Sequence, residues 1–417
     1  MDKFFWPMGI DAYERLIGAE AVERILRKAK RLHGLRVINI SSTFHGGGVA
    51  EMLSSLTLMQ RALGIRADWR LIQGSPDFFS VTKKLHNALQ GGDINLTELK
   101  RNVYEQVISE NALRMDIDAD FVVVHDPQPL PLISHYRRTC PWVWRCHVDL
   151  TQPDVEAWNY LRGFVEEYDA MISSLPEYTQ KIEVPQVFFM PAIDPFSLKN
   201  RELSEAEIKD RLEHYGIPDD LPIVVQVSRF DRWKDPEGVI QAFKIARREV
   251  PATLVLLGNI ATDDPEGQEV FESLLSCKEE RIIILTATDS ALVNALQRCA
   301  AVVMQKSLRE GFGLTVTEAM WKGAAVIGGN CGGIRRQIED GVSGFLVSTV
   351  EEAAARLVQL LKDKELRASL GRNACESVRR QFLLTRLAEQ YLDLFDAFEP
   401  HFTMHARRAA ALGQPAE

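Results

Sequence analysis

Arg36-Val37-Ile38-Asn39-Ile40-Ser41, then Phe44-His45-Gly46-Gly47-Gly48 and a segment of helical period reaching Leu63, is the stretch on which the fold turns. The first six residues are nearly all apolar and read as a buried strand, the glycines as a loop, and the rest as a helix. Working outward, strands are expected at 68–73, 121–125, 142–147, 170–174 and 187–190, each separated by polar, helix-like sequence. Strands that are almost uninterrupted apolar runs belong to a parallel sheet covered on both faces.

The cycle breaks at Pro191-Ala192-Ile193-Asp194-Pro195-Phe196, where two prolines mark a linker. It then restarts. Ser204 and Glu207 form a capping box for a helix that stops at Gly216, and strands follow at 223–227, 253–257, 281–285, 301–304, 324–327 and 344–347. The reading is α/β, with two doubly wound Rossmann-like domains facing across a cleft: 1–192 and 193–383. The helix at about 384–400 is expected to pack back onto the first domain, and the Ala/Arg-rich tail after Met404 to be loose. In such sheets ligands bind beyond the carboxyl ends of the strands.

Composition removes whole classes of function. The 417 residues suit two domains at roughly 150 residues each. No apolar run nears the roughly 20 residues of a membrane span, and the start MDKFFWPMGIDAYERL lacks the basic and apolar regions of a secretory signal. A cytoplasmic location is expected, with no membrane partner. A formal charge of −9 argues against wrapping nucleic acid. The six cysteines are scattered without zinc-type spacing, so reduced thiols and no metal are expected.

Two constellations carry chemistry. Glu310-Gly311-Phe312-Gly313-Leu314-Thr315-Val316-Thr317-Glu318 follows a strand and opens a helix. Its glycines allow close backbone approach, and the free N–H groups of the helix start can hold a pyrophosphate. Glu318 is expected in the first turn, near a ribose, and Glu310 ahead of the loop, near a sugar; acidic residues favoured by the helix dipole are the plainer reading. The second constellation, Val227 to Pro236, places Arg229 and Lys234 on either side of a short loop after a strand. A guanidinium with an ammonium can neutralise a leaving diphosphate without metal, although surface cations are often merely solvated.

Arg229 and Lys234, followed by the E-x7-E stretch from Glu310 to Glu318, resemble the large retaining glycosyltransferase family of GT-B fold that includes sucrose and trehalose synthases. The resemblance covers nearly the whole chain. Phe44 to Glu51, Val124 to Pro129 and Trp144 to Asp149 look more narrowly like trehalose glycosyltransferring synthases, and also like fungal-type trehalose phosphorylases. The resemblance implies retaining transfer from a nucleotide-diphosphate glucose (ADP-, UDP- or GDP-glucose) to glucose, giving trehalose, with no tightly bound cofactor. By motif, Arg229 and Lys234 would hold the pyrophosphate, Glu310 the donor glucose and Glu318 the ribose. Gly311, Phe312, Gly313 and Leu314 would offer backbone amides, with Gly47 and Gly48 approaching the reacting phosphate. His125, Asp126, Gln128, Arg145, His147 and Asp149 would line the acceptor side, with His147, Arg229, Lys234 and Glu310 catalytic. A front-face reaction is implied, in which the leaving phosphate oxygen takes the acceptor proton. Gly332-Gly333-Ile334-Arg335-Arg336 departs from the family's G-G-I-P-E. A homodimer is compatible with all of this, but the sequence sets no oligomeric state.

Other motifs lead elsewhere and are set aside. Glu51 stands where a dinucleotide fingerprint needs its third glycine. Asp116-Ile117-Asp118 and Asp118-Ala119-Asp120 spell D-x-D but precede a strand, so a solvated connection is expected. A trehalose phosphorylase and a non-catalytic two-domain sugar-binding protein remain as alternatives.

Overall fold

The computed structural model describes residues 9–44, 47–259 and 265–398. The chain divides into two compact units. One contains the chain as far as Met190 and the helix Leu384–Ala397; the other contains Pro191–Leu383, with Gly47 and Gly48 grouped alongside it.

The first unit is built on six parallel strands: β1 (Arg36–Ser41), β2 (Arg66–Leu71), β3 (Phe121–His125), β4 (Trp142–Arg145), β5 (Ala170–Ser173) and β6 (Gln186–Phe188). Their spatial order is β2-β1-β3-β4-β5-β6. All five residues of β3 are buried, which is why it reads as an unbroken apolar run. β2 begins two residues before the expected 68–73, because it pairs from Arg66 opposite Arg36. Gln73 is instead tied to Asn111, whose side chain accepts from the Gln73 amide (2.7 Å) and donates to its carbonyl (2.7 Å). Helix Leu384–Ala397 joins this unit through Phe395 against Phe121 (ring centroids 4.8 Å) and a row of ion pairs to helix Ala19–Arg31. Those pairs are Arg24 to Glu389 (2.8 Å), Lys28 to Asp393 (2.6 Å) and Arg31 to Asp396 (3.0 Å). Asp118 and Asp120 are not merely solvated, as expected: both bind the Arg36 guanidinium, at 2.6 and 3.0 Å.

The second unit repeats the plan with β7 (Ile223–Val227), β8 (Thr253–Gly258), β9 (Ile282–Thr286), β10 (Val302–Gln305), β11 (Val326–Gly329) and β12 (Phe345–Val347), in the order β12-β11-β10-β7-β8-β9. Helix Glu205–His214 opens on the capping box read from Ser204 and Glu207.

Both sheets reverse winding direction at one place, between β1 and β3 in the first and between β7 and β10 in the second. Helices leaving neighbouring strands at such a point go to opposite faces and leave a crevice at the carboxyl ends. The residues picked from sequence follow β1, β3, β4, β7 and β10, so the topology puts each group at its own sheet's crevice. Among the described residues no helix is long and apolar enough to cross a membrane.

Candidate active site

In the second unit, the loops after β7 and β10 are joined through backbone and side chains. The Leu308 amide donates to the Trp233 carbonyl (2.8 Å), and the Arg309 guanidinium sits 5.4 Å from the Trp233 ring centroid. Asp231 caps the short turn Arg232–Lys234 by accepting from the Trp233 amide (2.8 Å). Asp235 takes a left-handed backbone (φ 49°) and caps helix Pro236–Ala246 by accepting from the Gly238 amide (3.1 Å). A non-glycine residue held in that region costs about 1–3 kcal/mol and persists only where its surroundings demand it. Here the demand comes from the cap and from Lys306, which is buried and ion-paired with the Asp235 carboxylate.

These loops bring Lys234 and Glu310 together. Lys234 Nζ lies 2.5 Å from Glu310 Oε2, with both side chains mostly buried. Ser307 Oγ donates to the same oxygen (3.4 Å), and Gln305 Nε2 donates to Ser307 (3.1 Å). From the other side, Gln226 Nε2 fixes the Lys234 carbonyl (2.8 Å). Arg229 is half-buried on the same loop, its guanidinium 4.0 Å from Asp231.

Beyond Glu310 the chain turns at Gly313 (φ 84°) into helix Leu314–Trp321, with Gly313, Leu314 and Thr315 partly exposed at its start. The first amides of a helix lack carbonyl partners within it and suit an anion. Gly311 and Phe312 are buried behind this turn, Phe312 against Phe382 (5.7 Å). Glu318 is the fifth helical residue, one turn later than expected, and is buried beside Lys199 (3.6 Å).

In Gly332–Arg336 it is Gly333, shared with the family pattern, and not the two arginines that depart from it, that packs against the loop. A Cβ on Gly333 would lie 2.4 Å from Phe312 Cα, and one on Gly329 would lie 2.1 Å from the Ser307 carbonyl, so only glycine lets these segments back the loop. Gln337 then clamps it. Its amide donates to the Phe312 carbonyl (2.5 Å) and its Oε1 accepts from Thr317 (2.6 Å), whereas Arg335 and Arg336 are exposed.

His45 and Gly46 of the first glycine loop lie outside the described residues. Gly47 has φ 117°, and Gly48 opens helix Gly48–Ala62. The histidines meet: His125 Nδ1 is 3.1 Å from His147 Nε2, with the rings stacked at 5.4 Å. Asp126 is left-handed (φ 63°), and its Oδ1 accepts from the His147 amide (3.0 Å). Burial raises the Asp126 carboxyl to about 6, against the lowering effects of that amide and of Arg145. Burial, helped by the Arg145 charge, lowers His125 to about 3 and holds His147 well below the ordinary imidazole value. Both rings are therefore neutral. Asp149 folds over Thr151, accepting from its amide (2.9 Å) and hydroxyl (2.7 Å), and Gln128 is half-buried.

Two residues expected on the acceptor side are interior groups. Arg145 has no exposed surface, and its guanidinium donates to the carbonyls of Ser173 (3.2 Å) and Phe189. His125 is 1% exposed. Apolar flanking sequence conceals such cases, because a strand-end polar residue can point along the sheet as readily as out of it. Sequence reading missed Asn39, Lys306, Ser307 and Gln337. Asn39 left a signal, as the one amide within an apolar strand; the others left none apart from lying near a motif.

Two family models match. Residues 39–180 fit the trehalose synthase N-terminal domain, and residues 207–377 fit glycosyl transferases group 1. A trehalose synthase of Thermococcus litoralis is 44% identical over 399 residues, spanning 93% of this chain and 97% of that protein. A trehalose phosphorylase of Grifola frondosa is 28% identical over 415 residues, covering 86% of this chain but 56% of that protein. Among solved structures, an E. coli trehalose-6-phosphate protein bound with UDP-2-fluoro glucose superposes with TM-score 0.69 at 14% identity, over 86% of this chain and 98% of that one. A UDP-forming α,α-trehalose-phosphate synthase of Burkholderia xenovorans in complex with glucose-6-phosphate gives 0.70 at 12%, over 87% and 100%. These two likenesses concern the fold.

Proposed function

Because this chain belongs to the trehalose synthase family of GT-B glycosyltransferases, we propose that it transfers glucose from a nucleotide-diphosphate glucose to free glucose, forming trehalose and the nucleoside diphosphate. The observation that carries this reading is the contact between Lys234 and Glu310, 76 residues apart in sequence, beside a glycine-bounded helix start. One site in the second unit thus offers a cation for phosphate, a carboxylate for sugar hydroxyls and open amides for an anion.

In the proposed reaction the acceptor hydroxyl oxygen bonds to C1 of the donor glucose on the face from which the diphosphate departs. The C1–O bond to phosphate breaks, its electron pair stays on the phosphate oxygen, and that oxygen takes the acceptor proton. Configuration at C1 is retained. Arg229 and Lys234 offset the charge growing on the diphosphate, with the amides of Leu314 and Thr315 in support. Glu310 exchanges its bond to Lys234 for the hydroxyls of the donor glucose, Glu318 serves the ribose, and Gly47 and Gly48 admit the phosphate without a side chain in the way. In the first unit His147, Asp126, Gln128 and Asp149 serve the acceptor. Arg145, the one cation among the acceptor-side residues picked from sequence, is spent on carbonyls, so this set favours a neutral sugar over a sugar phosphate. Six free thiols fit the reducing cytoplasm.

The test mixes the protein with glucose or glucose-6-phosphate and each of ADP-, UDP- and GDP-glucose, with trehalose plus inorganic phosphate in parallel. Disaccharide and nucleotide released together from free glucose support the proposal. Glucose 1-phosphate formed only from trehalose and phosphate would make the chain a phosphorylase. Binding without turnover in every arm would leave a sugar-binding protein.

A further inference from the structure

Three neighbouring strands of the first unit each contribute a side chain to one hydrogen-bonded line. Asn39 lies in the middle of β1, His125 ends β3, and His147 lies two residues beyond β4. His125 Nε2 is 3.0 Å from Asn39 Oδ1, and His125 Nδ1 is 3.1 Å from His147 Nε2. Asn39 and His125 are each 1% exposed, so no solvent completes their bonding.

The chemistry of the line runs one way. Asn39 Nδ2 faces the Asp68 carbonyl (3.5 Å), which turns Oδ1, an acceptor only, toward His125. His125 Nε2 must then carry the proton. In a neutral imidazole the second nitrogen is an acceptor, so His125 Nδ1 accepts, and His147 Nε2 must donate to it. His147 Nδ1 is thereby left as a lone pair with no protein partner among the described residues.

We propose that Asn39 is a positioning residue that acts through His125 to hold His147 in its Nε2-protonated tautomer, so that His147 Nδ1 accepts from a hydroxyl of the bound sugar. The proposal rests on the reading of His147 as a sugar-contacting residue. It gives a reason for the burial of His125 and for an amide within the apolar strand β1. It also restricts the ligand: a lone pair recognises a sugar carrying a hydroxyl at that position and discriminates against the deoxy or fluoro analogue, which cannot donate.

The test uses full-length protein labelled with ¹⁵N-histidine and a long-range ¹H–¹⁵N correlation, with His147 assigned from the H147N spectrum. Wild type should show His147 protonated at Nε2 and bare at Nδ1. Asn39→Leu removes the acceptor: the single tautomer should be lost, and kcat should fall about tenfold, as for one lost hydrogen bond. Asn39→Asp puts a carboxylate on His125, whose other charged or titratable neighbours are Arg145, Asp126 and His147. A doubly protonated His125 would donate to His147 Nε2 and drive His147 to the Nδ1–H form. That variant should be slow at acidic pH and recover as pH rises, a dependence absent from wild type. A wild-type His147 protonated at Nδ1 overturns the proposal, as does an Asn39→Leu protein that keeps both the wild-type tautomer and kcat. If Asn39→Asp fails to fold, the wild-type and Asn39→Leu spectra still decide. The spectra need no substrate, so they stand apart from the product assay that tests the trehalose reading.

Discussion

Removing Lys234 and Glu310 singly and together separates what their contact does for folding from what each group does for turnover. At 2.5 Å and an effective dielectric near 20, their attraction is roughly 6–7 kcal/mol before desolvation is counted. Both side chains are largely withdrawn from water, at 18% and 12% exposure, so much of that attraction is offset by lost hydration. A net coupling of about 1–3 kcal/mol remains. Lys234→Met takes away the ammonium paired with the Glu310 carboxylate, and Glu310→Gln leaves an uncompensated ammonium. Each single variant should therefore lose stability, and the double variant should lose less than their sum by that coupling. Turnover should behave oppositely. Each single loses on the order of 10²–10³ in kcat, because each group acts on a different part of the donor, and the double recovers none of it. Denaturant titration and steady-state kinetics on the four proteins supply both readings. Additive stabilities within about 0.5 kcal/mol, together with near-wild-type kcat in folded single variants, would refute this account.

Further predictions concern the loop and its surroundings. Gly329→Ala places a methyl carbon 2.1 Å from the Ser307 carbonyl and should cost about 1–3 kcal/mol while lowering kcat by displacing Glu310, measurable by thermal unfolding and kinetics. Gln337→Leu removes the donor to the Phe312 carbonyl and the acceptor of Thr317; a loss of about 1–3 kcal/mol and a raised donor KM are expected from the same assays. Stability should rise with pH between about 3 and 6.5. His125 binds its second proton at about 3 when folded and near 6.5 when unfolded, so the unfolded chain holds the extra proton across that window and is favoured at its acid end. His147 acts in the same direction, whereas Asp126, raised to about 6, opposes them with one proton. Unfolding free energy measured from pH 4 to 6.5 should have a flatter slope in His125→Asn than in wild type.

Periodicity made the twelve strands readable, since a strand covered on both faces has little choice but to be apolar. Strand limits were less readable because they depend on the partner: β2 starts at Arg66 since Arg36 faces it, a fact absent from the local sequence. That Lys234 and Glu310 lie in loops after strands was legible, and the structure brings the two into contact. The direction of a polar side chain was not. Arg145 and Asp149 look alike as strand-end groups, yet one is spent on interior carbonyls and the other caps a turn. Gln337 and Lys306 act by fixing the Phe312 carbonyl and the Asp235 carboxylate from behind, a role without a composition of its own.

A crystal structure with a bound nucleoside diphosphate tests the central claim most directly. The account predicts diphosphate oxygens within hydrogen-bond distance of Arg229, of Lys234 and of an amide at Leu314 or Thr315, with Lys234 released from Glu310. A diphosphate bound elsewhere, with the Lys234–Glu310 contact intact, would contradict it.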